Sequence, residues 1–304
     1  MPPKAAAAPP EPEVPARPLT VEEKRALFLK KLPDLKTAGD AAAVKEIIEG
    51  MKAHEAVEQI QVMACRQLAG LASMKDHAAA AEKRDLIRKF AGVEQVLKAL
   101  GAHGACEELH REAFASLGHL TNSHNAKVKE RMGELGAIER IVAAMRAFKS
   151  DLEVQALGCK GLHNLAHVSH NATKIAVAGG IEQVTAAMER HDNLDVQLHG
   201  SGALQVLSIS ADNRGRIVAA GGLERLVSAM VRFDNVDVAE SCCGALVNVG
   251  CATPQMKSKL VATRGVQGVR SAFQKVMHHP EAKENTKAYG NLILDGLALN
   301  SHGA

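Results

Sequence analysis

The stretch HNLAHVSH places His163, His167 and His170 within eight residues. On a helix, His163 and His167 stand one turn apart on one face, which is the spacing of a metal-binding pair. No Cys, Asp or Glu follows at a spacing that would complete a ligand set. His119, His124, His191 and His199 are scattered along the chain, so the imidazoles are expected at the solvated edge of the core. Cys242 and Cys243 are adjacent, which raises vicinal thiol chemistry. Cys159 and Cys243 each precede an Asn by five residues, however, and Ser201 fills the same place in another copy, so a small packing residue is the expected role. No cysteine pair has CxxC spacing among Cys65, Cys106, Cys159, Cys242, Cys243 and Cys251, which favours buried free thiols in a reducing compartment. No GxxxxGK[ST], GxSxG or HExxH occurs. The chemistry left is recognition, including a PxxPxR match at Pro12, Pro15 and Arg17 that fits a polyproline-helix ligand.

Composition narrows what is recognised. The 304 residues are 46% hydrophobic, enough for a substantial core, yet only 2% aromatic with no Trp. Single-stranded nucleic acid is commonly read by stacking bases on aromatic rings, so that class is disfavoured. A net charge of +3 is too small to suggest a phosphate-tracking surface. The apolar runs are too short to cross a membrane, and residues 1–18, with five prolines between Pro9 and Pro18, have no apolar leader region. No small-molecule substrate, cofactor or metal is expected, and a cytoplasmic location is.

The residues that could bind must be held by a repeating frame. VAGGIEQVTAAM at 177–188 returns as AAGGLERLVSAM at 219–230. The apolar residue after the Gly recurs as Val44, Val93, Ile138, Ile181, Leu223 and Val266, at spacings of 49, 45, 43, 42 and 43. Seven residues on, each copy has Met51, Leu100, Met145, Met188, Met230 or Phe273, on the same helical face and suited to core packing. A second landmark keeps the same period: Asn164, Asn248 and Asn291 stand 25 or 26 residues after their anchors, with Val206, His119 and Gln67 in the other copies. Each unit reads as a short helix, a Gly bend, a medium helix and a long helix, with no sustained period-two alternation. Asn171 and Asn213 are the expected N-caps of the short helices, and DNLD at 192–195 supplies a turn and another cap. The longer segment at 73–90 is expected to extend the first helix of the second unit.

Helical units of about 40–47 residues stack into solenoids, since none buries its apolar face alone. GLHNLA, GALQVLS, GALVNVG and the GGIE and GGLE bends resemble the armadillo repeat family. The expected fold is all-α: a right-handed α-solenoid of about six armadillo repeats over 37–304, a capping helix within 19–36 ended by Leu32-Pro33, and a disordered Pro/Ala-rich tail over 1–18.

The resemblance implies a concave groove lined by the third helices, where Asn164, Asn248 and Asn291 would pair the backbone of an extended peptide. An amide offers both donor and acceptor for that task. One turn earlier lie Ala115, Lys160, Gly202, Gly244 and Lys287; two turns earlier lie Glu112, Leu157, His199, Ser241 and Glu284. With no Trp, and with Lys160 and Lys287 repelling basic cargo, the chain departs from the nuclear-import branch of the family. Gly202 and Gly244 are expected to leave a shallow floor for a bulky side chain or a helix, with His119, His167 and His199 nearby. A partner protein is therefore expected, either on a scaffold or adaptor or within a large cytoskeletal or axonemal assembly. Two alternatives stay open at this point: the Asn row orders the groove locally, and the partner uses an edge or end of the solenoid.

Overall fold

The computed structural model describes residues 18–31, 40–121, 125–250, 252–281 and 283–298, with the side chains of 263–268 and a few others also left out. The tail with its PxxPxR match, Leu32-Pro33, His124 and Cys251 lie outside the described residues, as does the Val266 side chain. Among the described residues there are seventeen α-helices and no strand.

The first helix, α1 (Val21–Lys31), opens with a reciprocal cap. Thr20 Oγ1 accepts from Glu23 N at 3.2 Å, and Glu23 Oε2 accepts from Thr20 N at 2.8 Å. Its Phe28 is buried against Gly50 of α2 (Asp40–Ala53), which leads into α3 (Glu58–Ala72). Four three-helix units follow. They are α4 (His77–Lys89), α5 (Gly92–Ala102) and α6 (Glu107–Thr121); α7 (Ala126–Glu134), α8 (Ala137–Ala147) and α9 (Leu152–Ala166); α10 (Ser169–Val177), α11 (Gly180–Arg190) and α12 (Leu194–Leu207); and α13 (Ala211–Ala219), α14 (Gly222–Arg232) and α15 (Val236–Gly250). The last unit is α16 (Pro254–Met277) with α17 (Glu284–Ala298). The extra residues of 73–90 do lengthen a first helix: α4 has 13 residues where α7, α10 and α13 have 9.

The bend between first and second helices rests on two adjacent positions with different demands. The first needs a left-handed backbone: Gly136, Gly179 and Gly221 have φ of 86°, 84° and 79°, and Ala91 is held there at 64°. The second needs room. A Cβ on Gly180 or Gly222 would stand 2.6 or 2.5 Å from Cγ2 of Ile175 or Ile217. In the last unit Arg264 occupies the left-handed position in the sequence. There the expected Gly break is absent and α16 runs through for 24 residues; an L residue disfavours the left-handed backbone, although Ala91 is held in it.

The short helices are not capped as expected. Val168 and Ser210 are the N-caps of α10 and α13, and Asn171 and Asn213 lie in the first turn, buried. Asn171 Nδ2 donates to Lys129 O at 2.8 Å, one repeat back, and Asn213 Nδ2 to Leu207 O at 3.1 Å. A buried amide of this kind ties a helix to its neighbour's backbone instead of to its own end. Asn193 does cap α12, accepting from Asp195 N and Val196 N.

The anchors from Val44 to Leu223 and their partners from Met51 to Phe273 are all buried in one continuous core. Met145 and Met188 reach across to the third helices, where a Cβ on Gly158 or Gly200 would lie 2.6 Å from their Cγ atoms. A glutamine on each of three third helices closes the turn before it. Gln61 Nε2 donates to Met51 O and His54 O, Gln155 to Met145 O and Phe148 O, and Gln197 to Met188 O and His191 O. Carbonyls at the end of one helix thus gain a donor from the next, and those of His54 and Phe148 also accept from Val57 N and Asp151 N.

The φ > 0 position predicts opposite outcomes for two exchanges. Ala91→Gly stabilises and Gly221→Ala destabilises, each by about 1 kcal/mol, the left-handed penalty of an L residue. Thermal melts of the two variants check this; a lowered melting temperature for Ala91→Gly contradicts it.

Candidate functional site

The third helices α3, α6, α9, α12, α15 and α17 lie side by side in order, so residues at one height form rows across the stack. At α6–α9, Asn164 Nδ2 donates to Thr121 Oγ1 at 3.2 Å, and Thr121 Oγ1 donates to Gly118 O at 3.0 Å. At α12–α15 the relay repeats: Asn248 Nδ2 donates to Ser208 Oγ at 3.1 Å, and Ser208 Oγ donates to Gln205 O at 2.6 Å. The intervening copy has Val206, and the residue matching Thr121 and Ser208 one repeat earlier is Ala166. Amide stands with hydroxyl and Val with Ala. The hydroxyls were legible in the segments GHLT and VLS, but their pairing with the next Asn was not.

Each Asn spends one N–H on this relay. Among the described residues, the other N–H and Oδ1 of Asn164 and Asn248 make no further hydrogen bond. Both side chains are half-buried, with donor and acceptor open to a ligand. Asn291 differs. It is exposed on α17, where Leu292 is 57% exposed and Ile293 is buried, whereas Leu165 and Val249 after the other two Asn are buried. The α17 helix is therefore turned relative to α9 and α15 at this height.

The expected open floor at Gly202 and Gly244 is not there. A Cβ on Gly202 would lie 2.7 Å from Cε1 of His163, and one on Gly244 would run into the amide of Gln205. Each glycine is the seat for a large side chain from the preceding helix. The complement is reversed at α6–α9, where Gly118 is the small member and Lys160 Cδ lies 4.0 Å from its Cβ position. Fixed helix spacing requires large against small.

His163 lies at the centre of this face. Its ring centroid is 5.4 Å from that of His167 and 6.4 Å from that of His199. Burial, then the neighbouring His167, His199 and Lys129, push its pKa down to about 4. His119 is lowered by burial, Lys160 and Arg84. His167 is lowered by burial and Lys129, and His199 by burial and Lys160 against an opposing pull from Asp195. No group of three His, Cys, Asp or Glu among the described residues is arranged to hold a metal ion. Burial also raises the thiols, Cys159 and Cys243 to about 12, so they are poor nucleophiles.

The starts of the third helices are acidic but largely paired. Arg66 bonds Glu108 at 2.9 Å and Glu112 at 2.7 Å, and Arg111 bonds Glu107 at 2.8 Å and Asp151 at 2.7 Å. Lys287 is held by Glu284 on its own helix at 3.0 Å. Lys160 has no ion pair among the described residues.

The LRRK2 ARM repeat model matches residues 34–218. An engineered protein superposes with a TM-score of 0.66 at 22% identity, over 84% of this chain and 96% of its own. A designed armadillo repeat protein in complex with the peptide (KR)4 gives 0.64 at 18%, over 84% and 99%. Computationally designed armadillo repeat proteins for modular peptide recognition give 0.67 at 18%, over 83% and 99%. No curated protein sequence matches.

His163 is held neutral by the fold and titrates near 6.5 when unfolded. Its contribution to stability is therefore complete above pH 6.5 and lost as pH falls towards 4. On that basis alone, about 2 kcal/mol disappears between pH 7 and pH 5. His163→Gln places on Gly202 an amide like that of Gln205 on Gly244 and removes the titration. Denaturant titrations at both pH values should show a smaller acid loss in the variant; equal losses contradict the assignment.

Proposed function

This chain belongs to the LRRK2 ARM repeat family, and on that premise we propose that it is a non-enzymatic scaffold or adaptor whose third-helix face binds an extended peptide or a helix of another protein. The observation that carries the reading is the pair Asn164 and Asn248, each fixed by a hydroxyl of the neighbouring repeat with one donor and one acceptor left unused. An extended chain crossing the stack presents alternating N–H and C=O groups, which such amides match. The designed relative bound to (KR)4 supports this use of the fold. The suppressed thiols, poor nucleophiles when buried, support a non-catalytic role.

The test separates binding from stability, because each Asn also holds its neighbour. Asn164→Ala with Asn248→Ala should lower stability by about 1–2 kcal/mol through the two lost relays. Thr121→Val with Ser208→Ala breaks the same relays and leaves the amides in place. In proximity labelling in cells, the Asn double variant should lose the groove partner and the hydroxyl double variant should keep it. Unchanged labelling by the Asn variant sinks the groove assignment.

A further inference from the structure

The groove face is electrically polarised in a way that selects the ligand. Over α6 and α9, the C-terminal halves of the third helices carry His119, Lys160 and His163, with Asn164 among them, and His199 stands just before the middle of α12. Lys129 of α7 approaches from the neighbouring first helix, lowering both His163 and His167. Arg84 of α4 does the same to His119. Neither Lys160 nor Lys129 has an ion pair among the described residues, although carboxylates elsewhere on this face are taken up by Arg66 and Arg111. The carboxylates nearest in register are Glu112, which shares the row of His199 and is bonded by Arg66, and then Glu153 and Asp195, which stand further towards the helix starts. Asp195 is close enough to His199 only to pull against the larger effects of burial and Lys160. The result is a strip of half-buried cations and imidazoles beside an amide with one N–H unused among the described residues, with Asp195 at its edge as a carboxylate that acts on His199.

We propose that the strip over α6, α9 and α12 binds an acidic segment of the partner protein, with Asp or Glu carboxylates beside Lys160, His119 and His199 and the segment's backbone at Asn164. This deepens the groove reading and rests on it. Carboxylates there supply a counter-charge to Lys160 and Lys129, which have no ion pair among the described residues. They also favour the protonated imidazoles of His119 and His199. Binding therefore takes up protons, and because burial holds the free imidazoles below their ordinary range it tightens chiefly as pH falls from about 7 to about 5.5. His163, half-buried against Gly202, keeps its shape role and is not recruited. Basic segments are excluded by Lys160 and Lys129.

The experiment uses the full chain and two fluorescein-labelled octapeptides, alternating Asp–Glu and alternating Lys–Arg, followed by fluorescence anisotropy at low ionic strength. The acidic probe should bind more tightly than the basic one, with affinity rising several-fold between about pH 7 and about pH 5.5. Lys160→Glu should weaken it about tenfold, and His199→Gln should flatten the pH response. Arg190→Glu, an equal charge change on a second helix, should leave binding as it was, with circular dichroism confirming that each variant folds. Tighter binding of the basic probe, binding of neither probe, or equal weakening by Arg190→Glu overturns the acidic assignment. The groove reading falls separately, on unchanged proximity labelling by the Asn double variant.

Discussion

Each repeat of this chain needs its neighbour to bury its apolar face, and the third helices can come together only where their facing side chains are complementary. Where one helix offers Gly202 or Gly244, its predecessor fills the space with His163 or Gln205. Where the predecessor offers Gly118, the next helix lays Lys160 against it. A Cβ at Gly202 would stand well inside contact distance of the imidazole, so the rule is one of close packing and not of preference. Repeat spacing and the composition of the third-helix face are fixed together by this pairing.

The polar residues of the face follow the same logic. Asn164 and Asn248 are oriented by Thr121 and Ser208, and the hydroxyls are oriented in turn by carbonyls of their own helices. A side-chain amide held in this way loses little conformational freedom on meeting a ligand. Local ordering and ligand capture are thus compatible roles of one residue, since a primary amide has more hydrogen-bonding capacity than the relay consumes. Val206 follows Ala166 where neither an amide nor a hydroxyl is present, which interrupts the row at its middle. Lys160, which has no ion pair among the described residues, stands beside that interruption.

Much of the frame was legible in the sequence because period and burial leave a direct trace. The anchors from Val44 to Leu223 and the Met51-to-Phe273 row were readable as core, and the Gly bends as helix stops. The bend of the last unit was not, because reading Gly265 as equivalent to the other glycines overlooked Arg264 at the left-handed position. Asn171 and Asn213 were misread as caps because an Asn near a helix start has the same local signature whether it caps its own helix or bonds the previous repeat. At the site, one row was readable but its partners lay about 40 residues away. His163 on Gly202 and Asn248 on Ser208 are pairs between repeats, and a single sequence marks no pair.

The central claim is that residues of the face are set in pairs across the repeat boundary. A double-mutant cycle at Ser208 and Asn248, read by equilibrium denaturation, tests it most directly, because Ser208→Ala with Asn248→Val rebuilds the Ala166 and Val206 combination that the chain already uses. Each single exchange should cost about 1 kcal/mol or more by leaving a polar group without its partner, and the double variant should recover most of that loss. Losses that simply add, to within about 0.5 kcal/mol, would contradict the pairing.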